Sequence, residues 1–395
     1  MRPFGAAKTH KYITLYQNHM LSSLKIRNFR GLQDLNVPHL GRVNLIVGKN
    51  NSGKSSILEA LRIYAQQASQ ILLDELVAAH DETLRTQMSA TADEDEQIPY
   101  ENFFTGRRFP TTNDGAIYIG DNEGREFLKI SHTYYQEERG VDPLGFSTVK
   151  RIPMAKNELS DEEANQALLV SSAKRDQPKW LGISDSPRRG RPPNPDPLAL
   201  NVGYVPTSIL PSSSLADLWD SIALTDYDNV VRAGLRIIEP RVEGVAFVKR
   251  DNPRSRFEGE RTAIIKLQGS DRPVTLNSMG DGMVRVLQLL LLIVPAKGGL
   301  YLVDEFENGL HYSVQEKVWE MIFELAKTTS TQVFATTHSW DCIEAFKNVA
   351  ARSDEPAVLF RVGKSIKTSE KGKVIATVFD KAALAQITQL EAEVR

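Results

Sequence analysis

The amino-acid sequence predicts an α/β protein, and three observations support this fold class. Short apolar segments typical of strands occur together with segments in which apolar residues recur every three or four positions, as on one face of a helix. A glycine-containing loop, residues 48–53, joins one such strand directly to one such helix. The chain has 395 residues, of which 41% are hydrophobic and 25% charged, as in an ordinary folded protein with a sizeable core.

Composition and charge exclude several classes of protein. The 48 basic and 50 acidic residues give a formal net charge of −2, which excludes a uniformly basic nucleic-acid-binding surface. The longest apolar segment, residues 286–294, contains Gln288 and is shorter than the roughly 18 to 20 apolar residues of a membrane span. The single cysteine, Cys342, excludes an intrachain disulfide and a multi-cysteine metal site. We therefore expect a protein of the reducing cytoplasm, without membrane contact.

The first elements follow one another in the order strand, loop and helix. Residues 24–29 alternate with period two, and residues 43–47 form a short apolar run, so both are predicted as strands. After Gly53, apolar residues as far as Leu72 recur at helical spacing and predict one long helix.

The middle of the chain contains a hairpin, an insertion and two helices. Residues 116–119 and 127–131 are predicted as a β-hairpin. Residues 150–198 are rich in proline and arginine and are predicted as a long loop or a partly disordered insertion. Between residues 214 and 239, apolar residues at helical spacing predict two short amphipathic helices. Four more strands are predicted at residues 245–249, 263–267, 300–303 and 333–336.

Residues 48–55 read Gly-Lys-Asn-Asn-Ser-Gly-Lys-Ser and fit the phosphate-binding pattern G-x-x-x-x-G-K-[ST] completely, between a predicted strand and a predicted helix. In this pattern the backbone N–H groups of the loop and of the helix N-terminus face a polyphosphate, the lysine reaches the β- and γ-phosphates, and the serine hydroxyl ligates Mg²⁺. An ordinary glycine turn before a helix is the alternative. The expected nucleotide-binding residues of the loop are Gly48, Asn50, Asn51, Ser52, Gly53, Lys54, Ser55 and Ser56.

A second motif, residues 299–305, is an apolar strand that ends in Asp304 and Glu305. Buried parallel strands are continuous apolar runs and ligands bind beyond their carboxyl ends, so both acids are expected at the phosphate site. We expect Asp304 and Ser55 to hold Mg²⁺, and Glu305 to act as the general base for the attacking water. The alternative is a strand followed by a solvated acidic turn.

Two further motifs are weak when taken alone. Residues 277–282 form a serine–glycine turn before apolar residues at helical spacing, which predicts either an anion site at a helix N-terminus or a plain cap at Ser278. Residues 334–339 form an apolar strand that leads to His338, and a lone histidine there is more often a packed or capping residue. The order and spacing of all four motifs favour a functional role for both.

Together the four motifs resemble the ABC-type ATPases, and specifically their SMC/RecF-like soluble branch. In their amino-acid sequence they are similar to the ATPase part of the OLD (overcoming lysogenization defect) family and its AAA-like relatives in bacterial anti-phage systems. The segments that carry this similarity are residues 24–31, 46–55, 304–311 and 336–339. The resemblance covers about residues 20–110 and 200–380.

The resemblance implies a P-loop NTPase, an ABC-type ATPase head with a mixed β-sheet core, an antiparallel β-subdomain and an inserted helical arm. Residues 1–19 have no apolar stretch of export-signal length and are expected to form an N-terminal extension, with Met20 as an alternative start. The expected boundaries are 20–110 for the first ATPase lobe, 111–270 for the hairpin, the insertion at 150–198 and the arm at 211–243, and 271–395 for the second lobe.

In such ATPases two heads enclose two ATP molecules. By resemblance, Ser278 and Gly280 belong to the signature motif that contacts the γ-phosphate held by the other protomer, and Asn308 belongs to the D-loop at the seam between the heads. The signature reads Ser-Met-Gly-Asp-Gly where transporters have Leu-Ser-Gly-Gly-Gln, which argues against a transporter head. Gln97 is the candidate for the Q-loop glutamine. The expected catalytic residues are Glu305, Lys54 and His338, the last as the switch histidine that senses the γ-phosphate.

The leading hypothesis is an ATPase that forms an ATP-dependent homodimer or a higher even oligomer and controls a separate effector, a TOPRIM-type nuclease, in anti-phage defence. A TOPRIM domain needs a glutamate on one strand and an Asp-x-Asp pair on a later one, and no such pair follows His338. Residues 373–379 and 382–390 are instead predicted as one strand and one helix, so we expect no nuclease within this chain. Residues 174–197 and the helices between 214 and 239 are candidate docking surfaces for the effector, with core packing as the alternative for the helices and a plain linker as the alternative for residues 174–197.

The alternative is a DNA-binding repair ATPase of RecF kind, in which a patch of basic residues neutralises phosphates. The interpretation that the sequence favours for this patch is a solvated surface paired with neighbouring acidic residues, Asp251, Glu258 and Glu260. Its members are Arg107, Arg108, Lys249, Arg250, Arg254, Arg256 and Arg261. A third hypothesis, an ATP-locked scaffold with negligible turnover, is disfavoured by the presence of Glu305.

Overall fold

The computed structural model describes residues 20–80, 98–141, 146–154, 165–183, 195–249, 261–365, 367 and 372–387. These residues form sixteen strands in three sheets and eight α-helices, which confirms the α/β class. The strands are β1 (Leu24–Phe29), β2 (Leu32–Val37), β3 (Val43–Val47), β4 (Ile117–Gly120), β5 (Phe127–Val141), β6 (Ser147–Met154), β7 (Asn165–Ser172), β8 (Lys179–Gly182), β9 (Val202–Val205), β10 (Val242–Lys249), β11 (Arg261–Leu267), β12 (Val274–Thr275), β13 (Leu300–Val303), β14 (Gln332–Thr337), β15 (Ala357–Lys364) and β16 (Val374–Phe379). The helices are α1 (Lys54–Ala65), α2 (Gln70–Ala79), α3 (Ser212–Ile222), α4 (Asp226–Leu235), α5 (Asp281–Ile293), α6 (Tyr312–Thr328), α7 (Trp340–Arg352) and α8 (Lys381–Leu384).

The central sheet has six strands in the order β16-β15-β3-β14-β13-β9. Neighbouring strands from β15 to β9 are parallel, and β16 is antiparallel to β15, so the sheet is mixed. Helices α1 and α2 share one hydrophobic core with this sheet, and α5, α6 and α7 share a second core on its other side. The strands β3, β13 and β14 are therefore buried along their whole length.

Two antiparallel sheets accompany the central one. The larger has the order β2-β1-β4-β5-β7-β8, with β6 paired to β5, and it packs into the same core as α1. Its β4–β5 pairing, with Ile117 opposite Ile130, confirms the predicted hairpin. The smaller sheet, β10-β11-β12, packs against α3, where the ring centroids of Trp219 and Phe247 lie 6.4 Å apart. The four later strands predicted from the sequence are confirmed as β10, β11, β13 and β14.

The structure corrects the single long helix expected after the phosphate loop. The chain forms two helices, α1 and α2, because Gln67 and Ala68 between them adopt left-handed φ values of 51° and 47°. The carbonyl oxygen of Ala65 accepts a hydrogen bond of 2.7 Å from the backbone N–H of Leu200. A carbonyl that would serve a continuing helix is thus bonded by a distant segment instead.

The long loop expected at residues 150–198 is also corrected. Its described residues include most of β6 and all of β7 and β8, so much of the insertion belongs to the larger antiparallel sheet. Arg175 and Lys179 both pair with Asp196, the latter at 3.4 Å between Nζ and Oδ2. These two basic side chains are therefore paired with a carboxylate of the same insertion. The parts of the insertion that lie outside the described residues are 155–164 and 184–194.

The two helices expected between residues 214 and 239 are confirmed as α3 and α4. Their apolar faces are buried in the core that α5 also enters, so this segment packs against the body of the protein instead of projecting from it as an arm. The buried residues of the two helices include Leu215, Trp219, Ile222, Val231 and Leu235. The helix expected at residues 382–390 is the short α8, and residues 388–395 lie outside the described residues.

Candidate active site

The phosphate loop connects the end of β3 to the start of α1, as the sequence motif predicts. Gly48 needs to be glycine, because a Cβ there would lie 2.3 Å from the carbonyl oxygen of Val362. Gly53 caps α1 with a left-handed φ of 99°. Lys54 is only 8% exposed, and its Nζ donates to the carbonyl oxygens of Gly48 at 2.8 Å and Lys49 at 3.1 Å. The loop therefore curls around the lysine amine.

Two features of this loop fit a bound phosphate. The Oγ of Ser52 is buried and has no hydrogen-bond partner among the described residues, although buried hydroxyls are normally paired. The first turn of α1 has no side-chain cap, which leaves its backbone N–H groups available to an anion. A phosphate oxygen at this position would supply the acceptor that both features lack.

Asp304 follows β13 and lies beside Ser55 of α1. The distance from Ser55 Oγ to Asp304 Oδ2 is 3.1 Å, and Thr336 Oγ1 donates to Asp304 Oδ1 at 2.6 Å. Within the described ranges there is no group of three or more His, Cys, Asp or Glu side chains that could hold a metal ion by themselves. One hydroxyl and one carboxylate fit Mg²⁺, since this ion usually takes one or two carboxylates and completes its shell with waters and substrate phosphates.

Glu305 has a backbone conformation that is unusual for its residue type. Its φ is 48°, in the left-handed region, and its N–H donates to Thr336 Oγ1 at 2.8 Å. The guanidinium of Arg285 donates to the carbonyl oxygens of Asp304 at 2.8 Å and Glu305 at 2.7 Å. The carboxylate of Glu305 is 34% exposed and lies 3.6 Å from Nδ1 of His338. It is therefore accessible to water at the edge of the phosphate site.

His338 lies between two carboxylates. Its Nδ1 is 3.2 Å from Glu307 Oε1, and the same oxygen accepts the backbone N–H of His338 at 2.9 Å. The side chain of Glu307 is 10% exposed. Glu307 was visible in the acidic motif after β13, but its spacing alone gave no reason to assign it to the histidine.

Burial and neighbouring charges have opposite effects on the pKa of Lys54. Burial lowers the pKa of the amine, and the carboxylates of Asp304, Glu305 and Glu307 raise it. The same three carboxylates act on the buried guanidinium of Arg285, whose pKa is also lowered by burial. The site thus places two buried cations against three acids, and a bound divalent cation would offset part of the negative charge that a polyphosphate brings to it.

The predicted signature and D-loop residues lie on adjacent segments. Ser278 is exposed and its Oγ donates to the carbonyl oxygen of Thr275, while Gly280 caps α5 with a φ of 94°. Asn308 is exposed and its Nδ2 donates to the carbonyl oxygen of Thr207 at 2.7 Å. The two segments are adjacent, because a Cβ on Gly282 would lie 3.0 Å from the carbonyl oxygen of Gly309. Within the described residues, no hydrogen bond joins Ser278 or Asn308 to residues 48–55.

Other candidate residues from the sequence have mixed outcomes. Arg107, Arg108 and Lys249 are exposed, whereas Arg261 donates to Asp220, with Nη2 2.9 Å from Oδ1. This pair follows the solvated-surface interpretation of the basic patch. Gln97, Arg250, Arg254 and Arg256 lie outside the described residues.

Sequence reasoning missed three residues that shape this site: Arg285, Thr336 and Glu307. Thr336 stands in the motif that leads to His338, but that motif gives it no role of its own, and Arg285 stands in no motif. Arg285 and Thr336 bond to Asp304 across 19 and 32 positions, so only the fold reveals these contacts.

Across the described ranges, no helix is long and apolar enough to span a membrane.

Comparison with known proteins gives two family models and a long relative. Residues 20–175 match a model described as "AAA ATPase domain", and residues 157–341 match one described as "AAA domain, putative AbiEii toxin, Type IV TA system". The chain is 22% identical over 350 residues to an ATP/GTP phosphatase of Helicobacter pylori, a match that covers 85% of this chain and 90% of that protein. A protein of Methanocaldococcus jannaschii is 51% identical over 45 residues, which cover 11% of this chain and 20% of that protein.

Solved structures of SMC heads are also similar to the chain. An SMC head bound to the C-terminal winged-helix domain of ScpA has a TM-score of 0.45 at 13% identity, and the match covers 93% of this chain and 99% of that one. The SMC head domain from Thermotoga maritima has a TM-score of 0.38 at 14% identity, with 90% and 98% covered. The family models, together with the phosphate loop and the mixed sheet, confirm the expected enzyme class, an ATPase on an α/β P-loop fold.

Proposed function

We propose that this ATPase hydrolyses ATP with Mg²⁺, closes as an ATP-dependent dimer and regulates a separate effector, a TOPRIM-type nuclease, in bacterial anti-phage defence. The proposal of ATP hydrolysis rests on one observation. Ser55, in the first turn of α1, lies beside Asp304, and Glu305 directly follows Asp304. This arrangement unites a hydroxyl and a carboxylate suited to Mg²⁺ with a second carboxylate that is exposed to water.

Each side chain then has a defined role. Bound ATP and Mg²⁺ supply the phosphoryl group and the charge compensation for its transfer. Lys54 offers its ammonium to the β- and γ-phosphates from within the loop, and Glu305 accepts a proton from the attacking water. His338 lies next to Glu305 and is held by Glu307, so it can report the state of the γ-phosphate to the loop that follows β14.

The positions of the signature and D-loop residues support the dimer. Ser278, Gly280 and Asn308 lie on neighbouring exposed turns, and the side chains of Ser278 and Asn308 donate to the carbonyl oxygens of Thr275 and Thr207. Exposed and adjacent side chains of this kind are suited to contact a nucleotide held by a second copy.

The proposed role in defence rests on the description of one matched family and on the amino-acid sequence of the motifs. That family is described as an AbiEii toxin and type IV toxin–antitoxin domain, and its match includes the signature and the acidic motif. A switch of this kind acts through a partner, and we infer that the partner is a nuclease supplied as a separate chain.

The test combines hydrolysis, capture and phage growth. The purified chain should release phosphate from ATP with Mg²⁺, leave DNA uncut, and retain a co-expressed TOPRIM nuclease from the neighbouring gene in an ATP-dependent manner. Cells carrying both genes should reduce phage plating, and Lys54→Ala should restore it. Stimulation of turnover by DNA, with unchanged plating and no captured nuclease, would instead favour the repair ATPase.

A further inference from the structure

One peptide bond in the site, between Asp304 and Glu305, is held from both sides. Its carbonyl oxygen accepts from Arg285 Nη2 at 2.8 Å, and its N–H donates to Thr336 Oγ1 at 2.8 Å. The same Thr336 hydroxyl donates its proton to Asp304 Oδ1 at 2.6 Å. Thr336 thus uses both its donor and an acceptor lone pair on two consecutive acidic residues.

The backbone of Glu305 needs such support. A left-handed φ in a residue other than glycine is strained and persists only where its surroundings impose it. Here Thr336 binds the N–H of Glu305 and Arg285 binds its carbonyl oxygen. This conformation turns the chain sharply after β13, so that Asp304 and Glu305 differ in where they lie: the first beside Ser55 and the second beside His338.

The position of Thr336 is set by the central sheet. β13 and β14 are parallel, with Val303 opposite Ala335, so the next residue on each strand is brought to the same edge. Thr336 is fully buried there. Because its hydroxyl holds Oδ1 of Asp304, the other oxygen, Oδ2, is the one closer to Ser55, at 3.1 Å against 3.4 Å for Oδ1.

We propose that Thr336 is a positioning residue that sets the two carboxylates relative to each other: it orients Asp304 toward Ser55 and holds Glu305 in its left-handed conformation. The inference rests on the proposed ATP hydrolysis, since it assigns Thr336 a role through Asp304 and Glu305. Partners that hydrogen-bond a metal-binding carboxylate typically contribute about 10- to 100-fold to metal affinity or activity.

The test compares variants that differ in the hydroxyl group. Thr336→Val keeps the shape of the side chain and removes the hydroxyl, and we expect kcat to fall by about 10- to 100-fold with a smaller change in KM. It should also raise the Mg²⁺ concentration needed for half-maximal binding of a non-hydrolysable ATP analogue, a readout that does not depend on turnover. Thr336→Ser keeps the hydroxyl and should restore both quantities to near wild type.

The matched control is Thr331→Val, at the residue immediately before β14. Thr331 is fully buried and its Oγ1 donates to the carbonyl oxygen of Ala296 at 3.1 Å, so the control also loses a buried hydroxyl. It should leave kcat and the Mg²⁺ dependence unchanged. If Thr336→Val fails to fold, Thr336→Ser and Thr336→Ala form a second pair that differs only in the hydroxyl.

Three outcomes separate this inference from the proposed function. Wild-type turnover and Mg²⁺ dependence in a folded Thr336→Val, with Lys54→Ala inactive, would overturn the role of Thr336 alone. An equal loss in Thr331→Val would also overturn it, since the effect would then follow from the loss of any buried hydroxyl in this region. Undiminished hydrolysis in Lys54→Ala would overturn the proposed function itself.

Discussion

Lys54 brings a positive charge to the phosphate loop from a buried position. Burial lowers the pKa of its amine, because a charged group is disfavoured away from water. The carboxylates of Asp304, Glu305 and Glu307 raise the pKa and so offset part of this effect. A developing negative charge on a transferred phosphoryl group would be stabilised by this ammonium at short range. The amine is therefore the side chain on which we expect hydrolysis to depend most directly.

We expect Lys54→Ala to lower the rate of ATP hydrolysis by on the order of 10² to 10³, the usual effect of removing one electrostatic contact to the transition state. Phosphate release with Mg²⁺ measures it. Lys317→Ala, which removes an exposed lysine of α6, is the control and should keep the wild-type rate. Equal rates for the two variants would contradict the assignment of the loop.

At the residue scale, the sequence motifs indicated which side chains come close together in the fold. Lys54 lies within the phosphate loop, Asp304 beside Ser55 and His338 beside Glu305, and their catalytic roles stay predictions. The conformation of Glu305 could not be predicted, because a left-handed φ in a glutamate results from hydrogen bonds to Thr336 and Arg285 and not from its own neighbours in sequence.

At the scale of elements, local patterns predicted individual strands and helices better than their ends. The spacing of apolar residues from α1 into α2 fits one helix, and the chain nevertheless turns at Gln67 and Ala68. The backbone of Leu200 and the amine of Lys179 bond to Ala65 and Gln67, so tertiary contacts from distant segments decide where α1 ends. Such contacts have no local sequence pattern.

The insertion shows the opposite error, in which composition suggested too little structure. Proline and arginine predicted a loop, yet β7 has the alternating burial of a half-buried strand, and Arg175 is paired with Asp196. Because the described part of the segment is built into the sheet, we now regard it as less suited to effector docking than the sequence suggested.

Packing between β9 and α5 gives a prediction about stability. A Cβ on Gly203 of β9 would lie 1.9 Å from the carbonyl oxygen of Leu292, and a backbone atom cannot move aside as a side chain can. We expect Gly203→Ala to destabilise the protein by about 1 to 3 kcal/mol, the usual cost of overpacking. Urea denaturation followed by circular dichroism measures the change.

Gly244→Ala in β10 is the matched control, because no heavy atom lies within 4 Å of the added Cβ. Its free energy of unfolding should equal or slightly exceed that of the wild type, since alanine restricts the unfolded chain. Equal stability of Gly203→Ala and Gly244→Ala would show that the contact between β9 and α5 is looser than in this structure.

At the scale of the whole molecule, the proposed dimer predicts opposite effects of two substitutions. Glu305→Gln keeps the shape of the side chain and removes the general base, so ATP should remain bound and closed dimers should accumulate. Ser278→Arg adds a long side chain to an exposed turn that we assign to the seam between the heads, so it should block closure and leave ATP binding to each chain intact.

Light scattering with ATP measures both effects. We expect more dimer for Glu305→Gln than for the wild type, and mainly monomer for Ser278→Arg and for Glu305→Gln combined with Ser278→Arg. If Glu305→Gln forms no more ATP-dependent dimer than Lys54→Ala does, the two-head mechanism is wrong.

The central sheet separates two hydrophobic cores and contributes to both. In β3, Val43, Leu45 and Val47 face one core and Ile46 faces the other, so neither core can come apart without exposing strands that the other also needs. We therefore expect scanning calorimetry to show one cooperative transition despite the 395 residues, and two separate transitions would contradict this. The proposed ATP site lies at the end of the same β3, so bound ATP should protect both cores together from proteolysis, through mass action on a single unfolding equilibrium. The lifetime of the whole chain in the cell would then follow the supply of nucleotide.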